Sequence, residues 1–595
     1  MDAPAEAGEW LTRLQSALDD PEGADWDGLF AEDCCWRDLL AFTWNIVTLE
    51  GKGAVADMAR RQAPSIAATA FRPDPDMPAG DGGWFDFETA TARCKGHVEL
   101  RGGRCFTLLT AMTELKGFEE PAGAGRIDGL VHRAVKRRRT WLDERQEEAR
   151  ALGHERQPYC LIVGGGQNGL ALAARLRRLS VPTLVVDAHE RPGDAWRRRY
   201  RTLYLHDPIW LDHFPYLPFP DHWPLYTSKD KMGDWLEAYA KIMELNVWSS
   251  TVCRKARFDE AEGVWEVEVE REGQTLTLRP TQLVLATGLS GGKNVPEIPG
   301  AESFRGRQYH SGDHPGGEDM TGRRCVVIGS NNSAHDICVD LWENDAASVT
   351  MVQRSPTIVV RAETMRALSA GIPYARKDVP TDAADLLAAV TPFRLRTAIE
   401  VAGTDHIRQL DADFYQRLVD SGFQLWHGED ESGFFMAYYR RAAGYYIDVG
   451  GSELIIDGEI ALRPGAIAAI EPDGVRMADG ELLPADLIVY ATGYRPMQEW
   501  AAKLISPEAA ARIGPCWGLG SGVKGDPGPW EGELRNMWKP TRQPNLWFQG
   551  GNLAQSRFHS LHLALQIKAR MEGLPTPVYR PGETASAAAP QPALV

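Results

Sequence analysis

The stretch that decides the fold is PYCLIVGGGQNGLALAARLRRLSVPTLVVDAHERPGDAWR, residues 158–197. An apolar run at 159–163 predicts a short buried strand. Three glycines follow in GxGxxG spacing, namely Gly164, Gly166 and Gly169. The apolar face after them predicts a helix, and a second apolar run at 183–186 ends in Asp187. The segment therefore predicts strand, tight turn, helix, strand and acid in one unit.

Each part of this unit suits a bound dinucleotide. The first glycine permits the turn, the second lets a pyrophosphate approach the backbone, and the third lets helix and strand pack closely. Amide groups at the helix start bind the phosphate, and an acid about 20 residues on binds a ribose hydroxyl. Asp187 stands at that distance, and three neighbours complete the predicted contacts, namely Gln167, Asn168 and Ala188. A bare glycine-rich turn is the alternative, but the complete order of elements favours the dinucleotide.

A second unit of the same kind begins with the apolar run 325–328. Its loop and helix start are Gly329, Ser330, Asn331, Asn332, Ser333 and Ala334. Asn331 replaces the second glycine, and asparagine tolerates the left-handed conformation better than most residues. The next strand is followed by Arg354 and Ser355 rather than by an acid. Because arginine can bind a ribose 2′-phosphate, we predict NADPH in this unit, with NADH as an alternative.

Further polar and glycine positions lie where the chain must pass a cofactor or substrate. Some follow the first unit, in the segment GDAWR and in the aromatic, proline-rich loop after it. Others follow two apolar strands that end in ATG, or precede a helix predicted from about Ser560. The candidates are Asp194, Trp196, His206, Asp207, Gly288, Thr492, Gly493, Tyr494 and Asn552. The aromatic residues Trp196, Trp210, Phe434 and Tyr438 are predicted to contribute to a hydrophobic substrate pocket.

Composition bounds the class of protein. A chain of 595 residues suggests about three domains. The net charge of −17 argues against nucleic acid or an anionic membrane as main partner. Nine cysteines without CxxC spacing indicate a reducing compartment and no metal motif. No apolar run is long enough to span a membrane, so we predict a cytoplasmic protein.

The order of patterns predicts an α/β chain in which two nested Rossmann-type domains follow a smaller module. Residues 1–130 read as helices and then strands, among them one strand over Phe85–Lys95, and resemble the cone-shaped α+β SnoaL-like fold. That resemblance implies a cavity near Trp36 and Asp38, and a possible homodimer. The remaining predicted parts are a helical linker at 131–157, a FAD domain at 158–303, an NADPH domain at 304–485 with a helical insertion at about 378–447, a second FAD segment at 486–573, and a disordered tail at 574–595.

Three motifs together resemble the flavin-containing and Baeyer–Villiger monooxygenases. They are Phe304-x-Gly306-xxx-His310, GDAWR at 193–197 and ATGY at 491–494. The departure of the first motif, which ends in His314-Pro315, is most similar to the bacterial type II flavin-containing monooxygenases. The resemblance implies FAD, NADPH and O2 as reactants. It also implies a flavin 4a-(hydro)peroxide that oxygenates a small hydrophobic substrate, either at a ketone or at nitrogen or sulfur.

The same resemblance suggests three catalytic residues. Asp207 occupies the place where ketone-oxygenating members have an Asp paired with an Arg, and Arg361 is the candidate for that Arg. A cation beside a peroxide favours its anionic form. His310 is a candidate proton shuttle or a residue that holds the junction between domains.

Other functions stay open at this stage. They are an indole-pyruvate (YUCCA-like) monooxygenase, an NADPH oxidase or flavoprotein reductase without oxygen transfer, and a nucleotide-binding assembly protein. The missing CxxxxC motif disfavours the disulfide reductases.

Overall fold

The structure, a computed structural model, describes residues 3–77, 82–130 and 132–583. The N-terminal domain consists of α1 (Ala3–Asp19), α2 (Trp26–Leu29), β1 (Phe30–Leu39), β2 (Ile46–Glu50), α3 (Lys52–Ile66), β3 (Thr69–Pro73), β4 (Gly83–Glu88), β5 (Ala92–Arg101) and β6 (Arg104–Leu115). Its strands form one sheet in the order β2-β1-β6-β5-β4-β3. The single strand predicted over Phe85–Lys95 is wrong. The chain turns after β4, where the Thr89 hydroxyl accepts the N–H groups of Thr91 and Ala92.

The interior of this domain is filled by aromatic side chains. Trp36 is fully buried and packs edge-on against Phe42, at 4.9 Å between ring centroids. Asp38 is also fully buried and accepts hydrogen bonds from the hydroxyls of Thr43 (2.6 Å) and Thr110 (2.5 Å). Burial raises the pKa of Asp38 to about 6. The two residues expected beside a cavity therefore serve the packed core, and the SnoaL-like assignment stays a prediction.

The linker contains one helix, α4 (Trp141–Ala151), rather than a helix over 131–157. The helix begins there because Thr140 and Asp143 form a capping box. The following elements are β7 (Cys160–Val163), α5 (Gln167–Arg178), β8 (Thr183–Val186), α6 (Asp194–Arg197), α7 (Lys229–Ile242), β9 (Val247–Trp248), β10 (Thr251–Asp259), β11 (Val264–Arg271), β12 (Gln274–Leu278), β13 (Gln282–Leu285) and β14 (Gly292–Lys293).

The second nucleotide unit and its insertion come next. They comprise β15 (Arg307–His310), β16 (Arg324–Ile328), α8 (Asn332–Glu343), β17 (Ser348–Gln353), β18 (Ile358–Arg361), α9 (Ala362–Ser369), α10 (Thr381–Ala389), α11 (Phe393–Leu410), α12 (Ala412–Asp420), α13 (Gly433–Arg441), β19 (Tyr445–Asp448), α14 (Gly451–Ile456), β20 (Ile460–Pro464), β21 (Ile467–Glu471), β22 (Gly474–Met477), β23 (Leu482–Pro484) and β24 (Leu487–Tyr490). Helices α10 to α13 lie within the stretch predicted as a helical insertion.

The chain then returns to the first unit. The last elements are β25 (Tyr494–Arg495), α15 (Gln498–Leu504), α16 (Pro507–Ile513), β26 (Leu546–Phe548) and α17 (Leu553–Met571). The final helix begins at Leu553 and not near Ser560, because Asn552 and Gln555 form a capping box.

Two five-stranded parallel sheets result, each with a three-stranded antiparallel sheet from the same part of the chain. The first has the order β26-β13-β7-β8-β9 with β10-β11-β12, and the second β15-β24-β16-β17-β20 with β21-β22-β23. β24 lies inside the second sheet, so the predicted domain boundary at residue 486 is wrong and belongs after Tyr490. The two crossings between the sheets pair with each other as the antiparallel ribbon β14–β25.

The predicted disordered tail is wrong for its first part. Tyr579 is 2% exposed, and its main chain exchanges hydrogen bonds with Thr43 (2.8 Å) and Asn45 (2.9 Å) of the N-terminal domain. Residues 584–595 lie outside the described part. In the described ranges, no helix combines the length and apolar character needed to cross a membrane.

Candidate active site

The first glycine loop is shaped around an open space. Gly164 has φ +115°, and a Cβ there would lie 2.4 Å from the Ala286 carbonyl oxygen. A Cβ on Gly169 would lie 1.9 Å from the Gly164 carbonyl oxygen. A Cβ on Gly166 would meet no protein atom within 4 Å, and this residue begins α5 without a side-chain cap. Gly164 and Gly169 therefore let the loop pack tightly against the protein, and Gly166 leaves open the side from which a pyrophosphate would approach.

Asp187 directly follows β8 and lies beside this loop. Its carboxylate accepts the Gly165 N–H at 2.5 Å, and the N–H and Nδ1 of His189 at 2.7 Å each. Burial opposes ionisation of Asp187, but the hydrogen bonds from His189 and Gly165 outweigh it, so the pKa lies below the usual range. Ala188, the next residue, is exposed. An ionised carboxylate at this point suits a ribose hydroxyl.

Residues around the first loop fix its outer wall. Trp196 Nε1 donates to Gln167 Oε1 at 3.1 Å. Asp194 is 5% exposed and pairs with Arg197 at 2.9 Å, so it orders the GDAWR segment. Asn168 is buried, and its Oδ1 has no partner among the described residues. An unpartnered buried acceptor beside the loop fits a site that a polar cofactor completes.

The second loop repeats the first. Gly329 has φ +129°, and a Cβ there would lie 2.3 Å from the Ala491 carbonyl oxygen. Asn331 has φ −99°, so this position does not use the left-handed region that asparagine tolerates. Ser330 bonds to Thr357 at 2.7 Å, whereas Asn332 accepts the Ile447 N–H at 2.9 Å and is thereby joined to the insertion.

Arg354 and Ser355 follow β17 at the edge of this loop. Arg354 is exposed and has no hydrogen bond or ion pair within residues 3–77, 82–130 and 132–583, and Ser355 is half-buried beside it. A free guanidinium at the end of the second strand is available to a ribose 2′-phosphate.

One cavity of about 1060 Å³ joins the two loops. Gln167 lines it from the first loop, and Asn331, Asn332 and Ser333 line it from the second. Much of the remaining wall is aromatic and includes Trp196, Phe434 and Tyr438, whereas Trp210 does not reach it. The arrangement brings two nucleotide sites to one shared, largely apolar space.

The insertion and the last helix meet at one end of this space. The Tyr438 hydroxyl donates to Gln555 Oε1 at 2.6 Å and accepts the Asn552 N–H at 3.1 Å. Asn552 caps α17 with its own side chain, at 2.9 Å from the Gln555 N–H. The positive end of the α17 dipole therefore faces the cavity.

Asp207 and His206 both line the cavity. Burial raises the pKa of Asp207, and the neighbouring His206 opposes this shift. The predicted partner of Asp207 is not there. Arg361 lies outside the cavity lining, one-third exposed, and its guanidinium binds Glu363 at 2.6 Å and Asp411 at 3.3 Å. The Asp207–Arg361 pair is therefore wrong as a description of this site.

His310 lies at the junction of the two sheets. Its Nε2 is 2.9 Å from the Gly493 carbonyl oxygen, and its Nδ1 accepts the Gly312 N–H at 3.0 Å. Burial lowers the pKa of His310. Both ring nitrogens are occupied by backbone groups, which favours the junction role over the proton shuttle.

The glycine turns after the two ATG strands lie at the same junction. Gly288 and Gly493 have φ +77° and +82°. The Thr492 hydroxyl donates to the Asn294 carbonyl at 2.5 Å. The Tyr494 hydroxyl is buried without a partner among the described residues and lines the cavity. It is a free polar group where the two nucleotide sites meet.

Several site residues were missed because they come from distant parts of the chain. Arg37 from the N-terminal domain and Glu533 line the cavity and form an ion pair at 2.7 Å. Arg557 on α17 binds Asp385 on α10 at 2.6 Å. No local pattern links such pairs.

Comparison with known proteins agrees with this geometry. The model of the flavin-binding monooxygenase-like family matches residues 189–412. Probable indole-3-pyruvate monooxygenase YUCCA9 of Arabidopsis thaliana is 31% identical over 338 residues, which cover 56% of this chain and 74% of the relative. The chain belongs to the flavin-binding monooxygenase family.

A second relative and a solved structure extend the comparison of this flavin-binding monooxygenase. Indole-3-pyruvate monooxygenase YUCCA1 of Oryza sativa subsp. japonica is 30% identical over 386 residues, covering 64% of this chain and 84% of the relative. The structure of epsilon-caprolactone-bound cyclohexanone monooxygenase aligns with a TM-score of 0.51 at 18% identity, over 70% of this chain and 88% of that one. The predicted α/β fold with two Rossmann-type domains is thereby confirmed, and the protein is a flavin-dependent monooxygenase.

Proposed function

We propose that this flavin-dependent monooxygenase uses FAD, NADPH and O2 to oxygenate a hydrophobic carbonyl compound, in a reaction of the Baeyer–Villiger type. The observation that carries the proposal is the single cavity lined by both nucleotide loops and by aromatic side chains. Bound FAD would accept two electrons from NADPH and activate O2. The protein's part is to bind, to orient and to exclude water.

FAD fits the first loop and NADPH the second. The open space at Gly166 would receive the pyrophosphate of FAD, and the Asp187 carboxylate would accept a hydrogen bond from its ribose hydroxyl. Arg354 would bind the 2′-phosphate that distinguishes NADPH from NADH. The N–H groups at the start of α17 would stabilise negative charge on a flavin bound at this end of the cavity.

The cavity residues provide the environment of the reaction. Asp207, whose pKa is raised by burial, holds a proton more readily than an exposed carboxyl and can donate it to a substrate oxygen. Trp196, Phe434 and Tyr438 keep the cavity apolar, which strengthens the electrostatic interactions inside it. His310 holds the junction through the Gly493 carbonyl oxygen and thereby positions the two loops.

A second candidate is the oxidative decarboxylation of an aromatic 2-oxo acid. The identity to enzymes named indole-3-pyruvate monooxygenases favours it. Arg366 also lines the cavity and is exposed, and its guanidinium has no hydrogen bond or ion pair with any described residue. Its guanidinium is therefore free to bind a substrate carboxylate.

The test is product identification with purified enzyme, NADPH and isotopically labelled O2. The panel contains a cyclic ketone, an aryl 2-oxo acid and an aryl thioether. We expect one labelled oxygen in an ester or in the shortened acid. Hydrogen peroxide alone would indicate an oxidase, and a labelled sulfoxide alone would show that the carbonyl proposal is wrong. A parallel series with NADH measures the nicotinamide preference.

The proposal includes a cytoplasmic location. It is supported by the nine cysteines, all of which are free thiols.

A further inference from the structure

Arg37 of the N-terminal domain lines one end of the cavity. We call this the distal end, and it comprises Arg37, Phe393, Glu533, Trp538, Phe558 and His559. Arg37 comes from β1, Phe393 starts α11 of the insertion, and His559 lies on α17. Three parts of the chain that are far apart in sequence therefore meet around this end.

The charges at the distal end are already paired. Arg37 Nε and Nη2 donate to the two carboxylate oxygens of Glu533 at 2.7 and 3.0 Å, and Nη1 donates to the Ala389 carbonyl at 2.8 Å. The Thr48 hydroxyl donates to the same carboxylate at 2.8 Å. The two side chains are 7% and 2% exposed. The distal end is therefore polar but has no free charge for an ionic ligand.

His559 is the unsatisfied group of the distal end. The residue is 7% exposed, lines the cavity, and stacks on Trp538 with 4.1 Å between ring centroids. Its Nδ1 is buried without a partner, and neither ring nitrogen has a hydrogen bond to any described residue. Burial, helped by the charges of His562 and Arg37, holds the pKa of His559 well below its usual value. A neutral imidazole has one donor and one acceptor nitrogen.

We infer that the distal end is a substrate subsite, in which His559 binds a neutral hydrogen-bonding group such as a hydroxyl or carbonyl oxygen. The inference rests on the proposed function and adds the class of substrate. A buried polar group without a partner favours a ligand that supplies one. An ionic group would have to be desolvated with no opposite charge left to pair with it.

The position of His559 sets the shape of that substrate. His559 lies seven residues beyond Asn552, which caps α17 at the flavin end of the cavity. At 1.5 Å per residue the two are about 10 Å apart along the helix. We therefore expect an elongated, mostly apolar molecule with its reactive carbonyl near the flavin and a neutral polar group at its far end.

The test compares ligands that differ in one hydroxyl. The probes are methyl ketones of increasing chain length, each with and without a terminal hydroxyl, and the measurement is Kd by calorimetry with the oxidised holoenzyme. At one chain length we expect the hydroxyl to lower Kd about tenfold, the value of one hydrogen bond. His559→Leu should abolish this preference, and His559→Gln should keep most of it.

The matched control is His562→Leu. His562 lies on the same helix, is 1% exposed and also has an unpartnered Nδ1, but it does not line the cavity. This variant should keep the hydroxyl preference. A preference absent at every chain length, or one that survives His559→Leu, would overturn the subsite.

Binding and turnover separate the two proposals. A hydroxyl preference in Kd without any oxygenated product would leave the subsite standing and contradict the proposed reaction. Oxygenated ketone products without a hydroxyl preference in Kd would support the proposed reaction and contradict the subsite. Failure of every ketone to bind would overturn both.

Discussion

Replacing Arg37 by methionine should destabilise the protein because it leaves the Glu533 carboxylate buried without its cation. The Glu533 side chain is 2% exposed and would keep only the Thr48 hydroxyl at 2.8 Å. Removing one partner of a buried ion pair costs about 3 to 5 kcal/mol. We expect Arg37→Met to lower the free energy of unfolding by that amount.

The double variant Arg37→Met/Glu533→Leu isolates the cause. With both charges gone, the main loss is the Arg37 bond to the Ala389 carbonyl, worth about 1 kcal/mol. We therefore expect the double variant to recover most of the stability. Equilibrium urea unfolding, followed by tryptophan and flavin fluorescence, measures both free energies.

The control is Arg93→Met in the same domain. Arg93 is 47% exposed on its side chain and pairs with Glu114 and Glu119 at the surface. Such exposed pairs contribute little to stability, because water and salt screen them, so Arg93→Met should unfold almost like the unmodified protein. If the double variant were as unstable as Arg37→Met, the buried charge would not be the cause and the reasoning would be refuted.

Three further outcomes are expected. Gly166→Ala should fold normally, because the added Cβ meets no protein atom, but it should lose FAD because the methyl group occupies the space of the pyrophosphate. Gly169→Ala should also unfold more easily, because its Cβ would lie 1.9 Å from a carbonyl oxygen. Flavin content and the melting temperature distinguish the two variants. Arg354→Ala should raise KM for NADPH about tenfold, the loss of a charge-assisted hydrogen bond, and leave KM for NADH unchanged; an equal rise for both would contradict the 2′-phosphate role. The hydrogen bond to Asp187 raises the pKa of His189 in the folded protein. Protonated His189 should therefore stabilise the fold fully below about pH 6.5, and this contribution should be lost as pH rises through the higher folded-state pKa. His189→Gln should accordingly reduce the fall in melting temperature above about pH 6.5.

The glycine loops could be predicted from sequence because their chemistry is local. Strand, turn and helix succeed one another within about 20 residues, and each glycine has a steric reason visible in the pattern. The start of α17 was misplaced although a signal existed, since Asn552 and Gln555 have the spacing of a capping box. The domain boundary predicted at residue 486 is wrong because a hydrophobic run does not reveal which sheet its strand joins.

The catalytic pair and the distal end could not be predicted in the same way. Arg361 binds Asp411, fifty positions further along the chain, and only the fold decides that this contact replaces one with Asp207. Arg37 and Glu533 are 496 positions apart. No periodicity or spacing relates residues at such separations, so their contact follows from domain packing alone.

The ribbon β14–β25 has a mechanical consequence. The chain crosses between the two parallel sheets twice, and these crossings pair Gly292 with Arg495 and Lys293 with Tyr494. Two strands that are hydrogen-bonded to each other bend and twist together. We therefore expect the two sheets to reorient about one shared axis rather than about two independent connections. A substitution that unpairs the strip would therefore add a rotational degree of freedom, and it would disturb hydride transfer between the nucleotides without touching either binding loop.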